Sequence, residues 1–320
     1  MTAVRTLATA RPGGPPVPAV RGVSPVLEVP FTEDGAVDVA GFRRVVRYVL
    51  ATGVTSVMFP GFASEFHKLD ERERTELTGV LLAETGPRED VAAIVAVQDH
   101  ATRLAVSRAR AAVAAGADMI NLLPPHFLAP TRRAVVAHVR AVLAAIAPTP
   151  VVLQYAPAET GTSLDGATIR VIAAEHPNLA LIKVESSPPG ALIAELAAAE
   201  PPLPAVEGYA GVQLPDAVRR GAVGTQPGCS FTEIYVELWR RFAAGDDEGG
   251  EELHRRLLPF ISYWMLDTEL IVAAEKLVSV RRGLFASACC REPCHRLDAE
   301  EVRMVDRFLA EFADLLPALD

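Results

Sequence analysis

Short apolar runs alternate with longer amphipathic stretches along most of the chain. The apolar runs are rich in Val, Ile and Ala, as is typical of strands that are buried on both faces of a parallel sheet. They predict eight strands, at Gly22–Val29, Ser56–Pro60, Val91–Val97, Met119–Leu123, Val151–Tyr155, Ala180–Lys183, Leu203–Glu207 and Ala222–Thr225.

The stretches between these runs place apolar residues at i, i+3 and i+4, which predicts amphipathic helices. Phe42, Val45, Val46 and Val49 show this spacing. The predicted helices are Val39–Ala51, Glu71–Ala83, Thr102–Ala115, Arg132–Ala145, Gly166–Ala174, Gly190–Ala199, Val212–Arg219 and Thr232–Ala243.

Eight consecutive strand–helix units predict a parallel (β/α)8 TIM barrel over residues 21–245. A doubly wound open sheet is the competing fold, but no Gly-x-Gly-x-x-Gly turn follows the first strand. Residues 1–20 are rich in Pro, Ala, Gly and Arg and are interpreted as a flexible leader. Residues 246–320 are predicted to form a C-terminal helical appendage, with helices at about Glu251–Phe285 and Ala299–Leu316.

Composition narrows the class of protein. Hydrophobic residues make up 50% of the chain and the net charge is −9, which argues against nucleic acid or an anionic membrane surface as a partner. Cys289 or Cys290, Cys294 and His295 are possible metal ligands, but their spacing fits no standard zinc pattern. We therefore expect reduced cytoplasmic thiols, no membrane span, and neither a metal nor another cofactor.

One residue suggests covalent chemistry. The chain has 31 basic residues, of which only three are lysines, and Lys183 ends the sixth predicted strand. A lysine amine can form a Schiff base, whereas an arginine cannot. The alternative is a surface or salt-bridged lysine. Active sites of such barrels lie at the C-terminal ends of the strands, where the chain also places Ser24, Pro25, Gly61–Glu65, Gln98–His100, Pro124–Phe127, Gln154, Tyr155, Glu185, Glu207 and Gln226.

Several of these motifs, in this order, resemble the dihydrodipicolinate synthase / N-acetylneuraminate lyase family. The similarity runs from about residue 21 to 316 and is carried by Val26–Gly35, Gly61–Phe66, Leu69–Arg74, Pro157, Thr160-Gly161 and Ile182-Lys183. The resemblance implies a class I lyase that binds a 2-oxo acid as an imine on Lys183 and that assembles as a homo-oligomer, a tetramer or a dimer. It also implies a substrate-binding loop at Gly61, Phe62, Ala63 and Ser64, whose backbone amides would bind the substrate carboxylate.

The chain departs from the family where the family uses tyrosine. The catalytic tyrosine of the fifth strand corresponds to Gln154, and Tyr155 follows one residue later. Because successive strand residues point to opposite faces, Tyr155 would need a strand-end bulge to serve as a catalytic residue. The loop threonine corresponds to Phe62 or Ala63, and the tyrosine lent by a neighbouring subunit corresponds to Phe127.

A further position differs from the synthase. Its arginine for a second carboxylate corresponds to Glu159. The pattern of Gln154, Ala156-Pro157, Lys183-Val184-Glu185 and Glu207-Gly208 is most similar to the 2-keto-3-deoxy-arabonate dehydratase branch. The resemblance therefore favours dehydration or aldol chemistry over dihydrodipicolinate synthesis.

Both reactions need a group that transfers protons near C3 or C4 of the substrate. Glu207, at the end of the seventh strand, is the expected candidate, with His100 and His126 as alternatives. Gln154 cannot transfer protons and is expected to bind substrate or water, as is Gln226. Glu185 either tunes Lys183 or pairs with an arginine outside the pocket, and the second is expected. A family member that has lost catalysis and binds a small metabolite, or serves as a scaffold, is the alternative function.

Overall fold

The computed structural model describes residues 20–161 and 163–319. Nearly all of the leader predicted for residues 1–20 lies outside this range. Within it, no helix is both long enough and apolar enough to cross a membrane.

Eight parallel strands form a single sheet that closes into a barrel. They are β1 (Gly22–Val23), β2 (Ser56–Phe59), β3 (Ala92–Val97), β4 (Met119–Leu122), β5 (Val151–Tyr155), β6 (Leu179–Val184), β7 (Ala205–Glu207) and β8 (Gly224–Thr225). Val26, just after β1, bridges to Met58 of β2 on one side and to Gly228 on the other. These bridges close the barrel, and the predicted TIM barrel is confirmed.

The first strand is shorter than predicted. It covers two residues instead of the run Gly22–Val29, because Pro25 has no N–H to continue a regular ladder. Single hydrogen bonds replace the ladder there, such as the one from the amide of Leu27 to the carbonyl of Met58 at 2.9 Å.

Helices follow the strands, with bounds close to those that the apolar spacing predicts. They are α1 (Val39–Ala51), α2 (Glu71–Thr85), α3 (Thr102–Ala114), α4 (Arg132–Ile146), α5 (Pro157–Thr160), α6 (Gly166–Glu175), α7 (Gly190–Ala197), α8 (Leu214–Arg219) and α9 (Thr232–Ala243). Aspartates Asp38, Asp70 and Asp165 begin three of them by accepting hydrogen bonds from first-turn amides. The short α5 was not predicted, since one turn is too brief for a periodic pattern.

Strand residues alternate between two apolar layers. Met119, Val152, Leu181 and Val206 point into the barrel and form a cluster there, whereas their strand neighbours pack beneath the outer helices. This alternation decides which polar side chains reach the interior, because residues two apart on a strand share a face.

Three further helices complete the described chain: α10 (Asp247–Trp264), α11 (Thr268–Arg281) and α12 (Ala299–Glu311). Trp264 and Phe308 share one hydrophobic cluster with Phe42 of α1 and with Phe231, the residue before α9. The core of the C-terminal region is therefore continuous with that of the barrel.

Candidate active site

A pocket lies at the C-terminal ends of the strands, between the strand-end loops and the beginning of α11. Its walls combine apolar side chains with a few ionisable ones. It is lined by Val26, Phe62, Ala63, Glu159, Lys183, Glu185, Tyr209, Ala210, Gln226, Pro227, Gly228, Met265, Thr268, Ile271, Val272 and Glu275. Of the predicted site residues, the pocket brings together Lys183, Phe62, Ala63 and Gln226.

Lys183 reaches this pocket from the inner face of β6, two residues beyond the inward-pointing Leu181. The residue is 4% exposed, and its Nζ atom lies 2.9 Å from Oε1 of Glu185. No arginine pairs with Glu185 among the described residues, so the expectation of an arginine partner outside the pocket is wrong. The two residues share a face of the strand, which allows the carboxylate to sit directly beside the amine.

Two amide side chains in series hold the other oxygen of Glu185, since Gln154 contacts it and Asn121 contacts Gln154. Nε2 of Gln154 donates to Oε2 of Glu185 at 2.7 Å, and Nδ2 of Asn121 donates to Oε1 of Gln154 at 2.9 Å. All three residues are buried. Gln154 thus lies beneath the pocket and fixes the orientation of the carboxylate. Asn121 was missed by sequence reasoning, although a lone amide two residues beyond inward-pointing Met119 was a usable signal.

Glu207 does not line the pocket, because its side chain lies on the opposite face of β7. Its neighbour Val206 points into the barrel, so Glu207 points to the other side. Oε1 of Glu207 accepts from the amide of Gln213 at 3.2 Å, and Oε2 accepts from the hydroxyl of Thr225 at 3.3 Å. Burial, only partly offset by these hydrogen bonds, raises the pKa of Glu207 to about 8. Through its hydrogen bond from the amide of Gln213, the Glu207 carboxyl stabilises the loop after β7.

Tyr155 and Phe127, two other predicted site residues, also lie outside the pocket lining. Tyr155 packs in the layer between barrel and helices, because β5 ends without the bulge that would turn it inward. Phe127 is 67% exposed, and its ring lies 6.1 Å from that of His100. His126 packs against Phe66 and is not among the residues that line the pocket.

The pocket also contains a hydrogen-bonded pair, Glu159 and Tyr209, that the sequence did not predict. The hydroxyl of Tyr209 donates to both carboxylate oxygens of Glu159, at 2.9 Å each. Burial raises the pKa of Glu159, and the charge of Glu185 adds to the rise while that of Lys183 opposes it. Burial raises the pKa of Tyr209 as well. Tyr209 adopts a left-handed backbone conformation (φ 45°) after the end of β7, which no strand or helix pattern predicts.

The loop after β2 forms a turn of 3-10 helix at Phe62–Ser64. The hydroxyl of Ser64 accepts a hydrogen bond from the amide of Gly61 at 3.0 Å and donates to the carbonyl of Leu27. The amide of Ser64 donates to the carbonyl of Gly61, whereas those of Phe62 and Ala63 have no acceptor in the described part of the chain. Such first-turn amides are suited to binding an anion.

Gln226 and Glu275 complete the polar part of the lining. Nε2 of Gln226 donates to the hydroxyl of Ser24 at 3.3 Å. Glu275 belongs to α11, and burial raises its pKa to about 8, with a further contribution from the charge of nearby Glu28. Thus α11 supplies part of the site, with Ile271 and Val272 as its apolar face. Sequence reasoning missed this because an apolar helix face looks the same whether it meets a core or a pocket.

The possible metal ligands near the C-terminus do not form a cluster. His295 pairs with Glu301 at 2.8 Å, and the thiols of Cys289, Cys290 and Cys294 are free. Across residues 20–161 and 163–319, no group of three or more His, Cys, Asp or Glu side chains is arranged to hold a metal ion.

Comparison with known proteins decides the family. The model of the Dihydrodipicolinate synthetase family matches residues 19–312. This chain belongs to that family. The predicted family membership is thereby confirmed, whereas no comparison tests the closer similarity to the 2-keto-3-deoxy-arabonate dehydratase branch.

Relatives in the family agree with this assignment. The chain is 33% identical to a 4-hydroxy-tetrahydrodipicolinate synthase of Salinibacter ruber over 52% of its own length and 54% of the relative's. It is 30% identical to the 4-hydroxy-tetrahydrodipicolinate synthase of Stenotrophomonas maltophilia over 76% of its own length and 80% of the relative's. A dihydrodipicolinate synthase structure from Rhodopseudomonas palustris is 25% identical, with a TM-score of 0.85 over 92% of this chain and 98% of that one.

Proposed function

We propose that this family member is a lyase that acts on a 2-oxo acid through a Schiff base on Lys183. The observation that carries the proposal is the buried Lys183–Glu185 pair, which opens onto a pocket at the C-terminal ends of the strands. A buried amine beside a carboxylate can release its proton to that carboxylate and then attack a carbonyl carbon. The family membership supports the same chemistry.

The loop at Gly61–Ser64 would bind the carboxylate of the substrate. The unpaired amides of Phe62 and Ala63 are the donors for it, and Ser64 stabilises the turn through its hydroxyl. Backbone donors keep this role whatever the side chains are. Gln226, which lines the pocket, is proposed as a further polar contact to the substrate.

Glu185 replaces Glu207 as the proposed proton-transfer group, because it lies in the pocket and contacts the amine. The amine adds to the oxo carbon, and Glu185 returns the lysine proton to the carbinolamine hydroxyl, which leaves as water and gives an iminium ion. Glu185 then accepts the C3 proton while the electron pair moves to the iminium nitrogen, which gives an enamine. The enamine can expel a C4 hydroxyl together with a proton, which is dehydration. In aldol cleavage the iminium ion keeps its C3 proton and the C3–C4 bond breaks instead. The electron pair of that bond moves to the iminium nitrogen, Glu185 accepts the proton of the C4 hydroxyl, and C4 leaves as a carbonyl compound. Glu207 and Gln154 act by positioning.

Borohydride trapping tests the proposal. Incubating the protein with pyruvate and borohydride should attach one reduced adduct to Lys183 and none to Lys68 or Lys276, as peptide mass mapping would show. Lys183→Arg keeps the charge but cannot form an imine, and should give no adduct.

The alternative is a member of the family that binds a metabolite without catalysis. It would be favoured by the absence of an adduct with any of a panel of 2-oxo acids, together with unchanged ligand binding in Lys183→Ala. An adduct on Lys183 would rule it out. Sensitivity to chelators is a separate control for metal-dependent aldol chemistry.

We also propose that the protein is a homo-oligomer of the cytoplasm. Phe127 and Leu128 support oligomerisation, since these adjacent apolar residues are 67% and 79% exposed in the single chain. Light scattering on the purified protein would measure its mass directly.

A further inference from the structure

The pocket has an unbalanced charge. Three carboxyl groups line it, those of Glu159, Glu185 and Glu275, whereas Lys183 is the one cationic side chain in the described lining. Lys183 is already paired with Glu185. Glu159 and Glu275 therefore face the pocket without a basic partner on its walls.

Glu159 is the carboxyl group whose surroundings define a recognition site. Both of its oxygens accept from the hydroxyl of Tyr209, at 2.9 Å each. No arginine or lysine forms an ion pair with it among residues 20–161 and 163–319. Since a carboxylate has about four lone-pair positions, the pair retains capacity to accept hydrogen bonds. Tyr209 has donated its only proton and can offer just a lone pair.

We propose that the Glu159–Tyr209 pair selects substrates whose end distal to the oxo acid carries a neutral hydroxyl group, and rejects those that carry a second carboxylate. This inference rests on the proposed function and specifies its substrate class. A hydroxyl group can donate to Glu159 at little desolvation cost. A second carboxylate has no proton to donate and would place a like charge beside Glu159.

The remaining walls agree with an uncharged tail. Phe62, Met265, Ile271 and Val272 are apolar, and none of them can hydrogen-bond a charged group. A charged end would lose its water against these walls without finding a partner. A tail with an apolar body and a hydroxyl end would pack against these walls and donate its hydrogen bond to Glu159.

A matched pair of probes tests the proposal. 2-Oxoglutarate and 5-hydroxy-2-oxopentanoate have the same chain length and differ at C5, which is a carboxylate in one and a hydroxymethyl group in the other. The concentration that gives half-maximal borohydride trapping should be about tenfold or more lower for the hydroxyl compound, the equivalent of about 1.4 kcal/mol. Equal trapping, or better trapping of 2-oxoglutarate, would overturn the proposal.

Two variants test whether Glu159 causes this selectivity. Glu159→Gln removes the charge and should bring the ratio toward one, while Glu159→Arg should reverse it in favour of 2-oxoglutarate. Glu76→Gln, on the exposed face of α2, is the matched control and should keep the wild-type ratio. A ratio that stays at the wild-type value in Glu159→Gln would contradict the assignment to this pair.

Failure of the proposed function has a different outcome. If pyruvate and both probes leave no adduct on Lys183, the Schiff-base lyase is wrong. Titration calorimetry with the same two probes then measures binding without imine formation. A preference for the hydroxyl compound that Glu159→Gln removes would still support the selectivity, and no preference would refute it.

Discussion

Two lysines of this chain are buried against glutamates, and comparing them shows what distinguishes a reactive lysine from a structural one. Lys183 at the mouth of the barrel is 4% exposed, and Lys276 on α11 is 0% exposed. Lys276 pairs with Glu65 as Lys183 pairs with Glu185. Burial and ion pairing therefore do not separate the two.

Their remaining contacts do separate them. Lys276 also donates to the carbonyl of Cys289 at 2.9 Å and lies 4.1 Å from the centre of the Phe31 ring. The second oxygen of its partner Glu65 is bound by Lys68 and by the amide of Arg291, both at 3.1 Å. Lys276 thus joins α11 to the loop after β2 inside a closed network. Lys183, in contrast, faces a pocket, so a carbonyl compound can reach it.

The largest expected difference follows from replacing each lysine by methionine. Lys276→Met leaves Glu65 as a buried carboxylate with one ion pair fewer and should reduce the free energy of unfolding by about 3–5 kcal/mol. Lys183→Met should abolish trapping of pyruvate while destabilising the protein less, because Gln154 still donates to Glu185. Urea denaturation of both variants measures the contrast.

Equal losses of stability would refute this distinction. Combining Lys276→Met with Glu65→Met is the informative control, because removing both charges should recover part of the loss.

The next effect concerns Glu185. Glu185→Gln keeps the shape but cannot accept a proton, so exchange of the C3 protons of pyruvate should slow by about 100-fold or more. NMR in deuterium oxide measures this exchange, with Glu207→Gln for comparison. A larger loss in Glu207→Gln than in Glu185→Gln would restore Glu207 as the proton-transfer group.

The last prediction concerns the dependence of stability on pH. Burial raises the pKa of Glu207 and that of Glu275 to about 8, above the value of 4.5 expected when unfolded. The folded protein therefore holds more protons between those values. The stability that these two carboxyls contribute is fully present below about pH 4.5 and is lost as pH rises to about 8.

Denaturation at pH 5 and pH 8 measures that decline. Glu275→Gln should make the slope shallower, whereas Glu76→Gln on the exposed face of α2 should not change it. A stability that rises over this interval in the wild-type protein would contradict the assignment of these buried carboxyls.

Much of the architecture was predictable because it depends on local periodicity. The helices Val39–Ala51 and Thr232–Ala243 end where their apolar spacing ends, and Lys183 was placed on β6 from its neighbours alone. The scarcity of lysine was a weaker indication of a catalytic role. The other two lysines of the chain, Lys68 and Lys276, are both paired with Glu65.

Predictions that depended on the direction of a side chain agreed with the structure on β5 but not on β7. The family resemblance placed Gln154 inside the barrel, and alternation along β5 then turned Tyr155 to the other face, where it packs beneath the helices. The same alternation, applied to β7, would have turned Glu207 away from the pocket, because Val206 points inward. Tyr209 was beyond this kind of reasoning, since its left-handed backbone belongs to neither a strand nor a helix.

The sequence by itself determined the barrel, the order of its elements and the strand that carries Lys183, because hydrophobic periodicity acts within a few turns of chain. Only the tertiary structure decided what surrounds that lysine. Glu159, Tyr209 and Glu275 come from three distant segments and meet because the barrel closes and α11 packs across its mouth. Their charges interact through space, and the separation of two residues along the chain does not specify that distance.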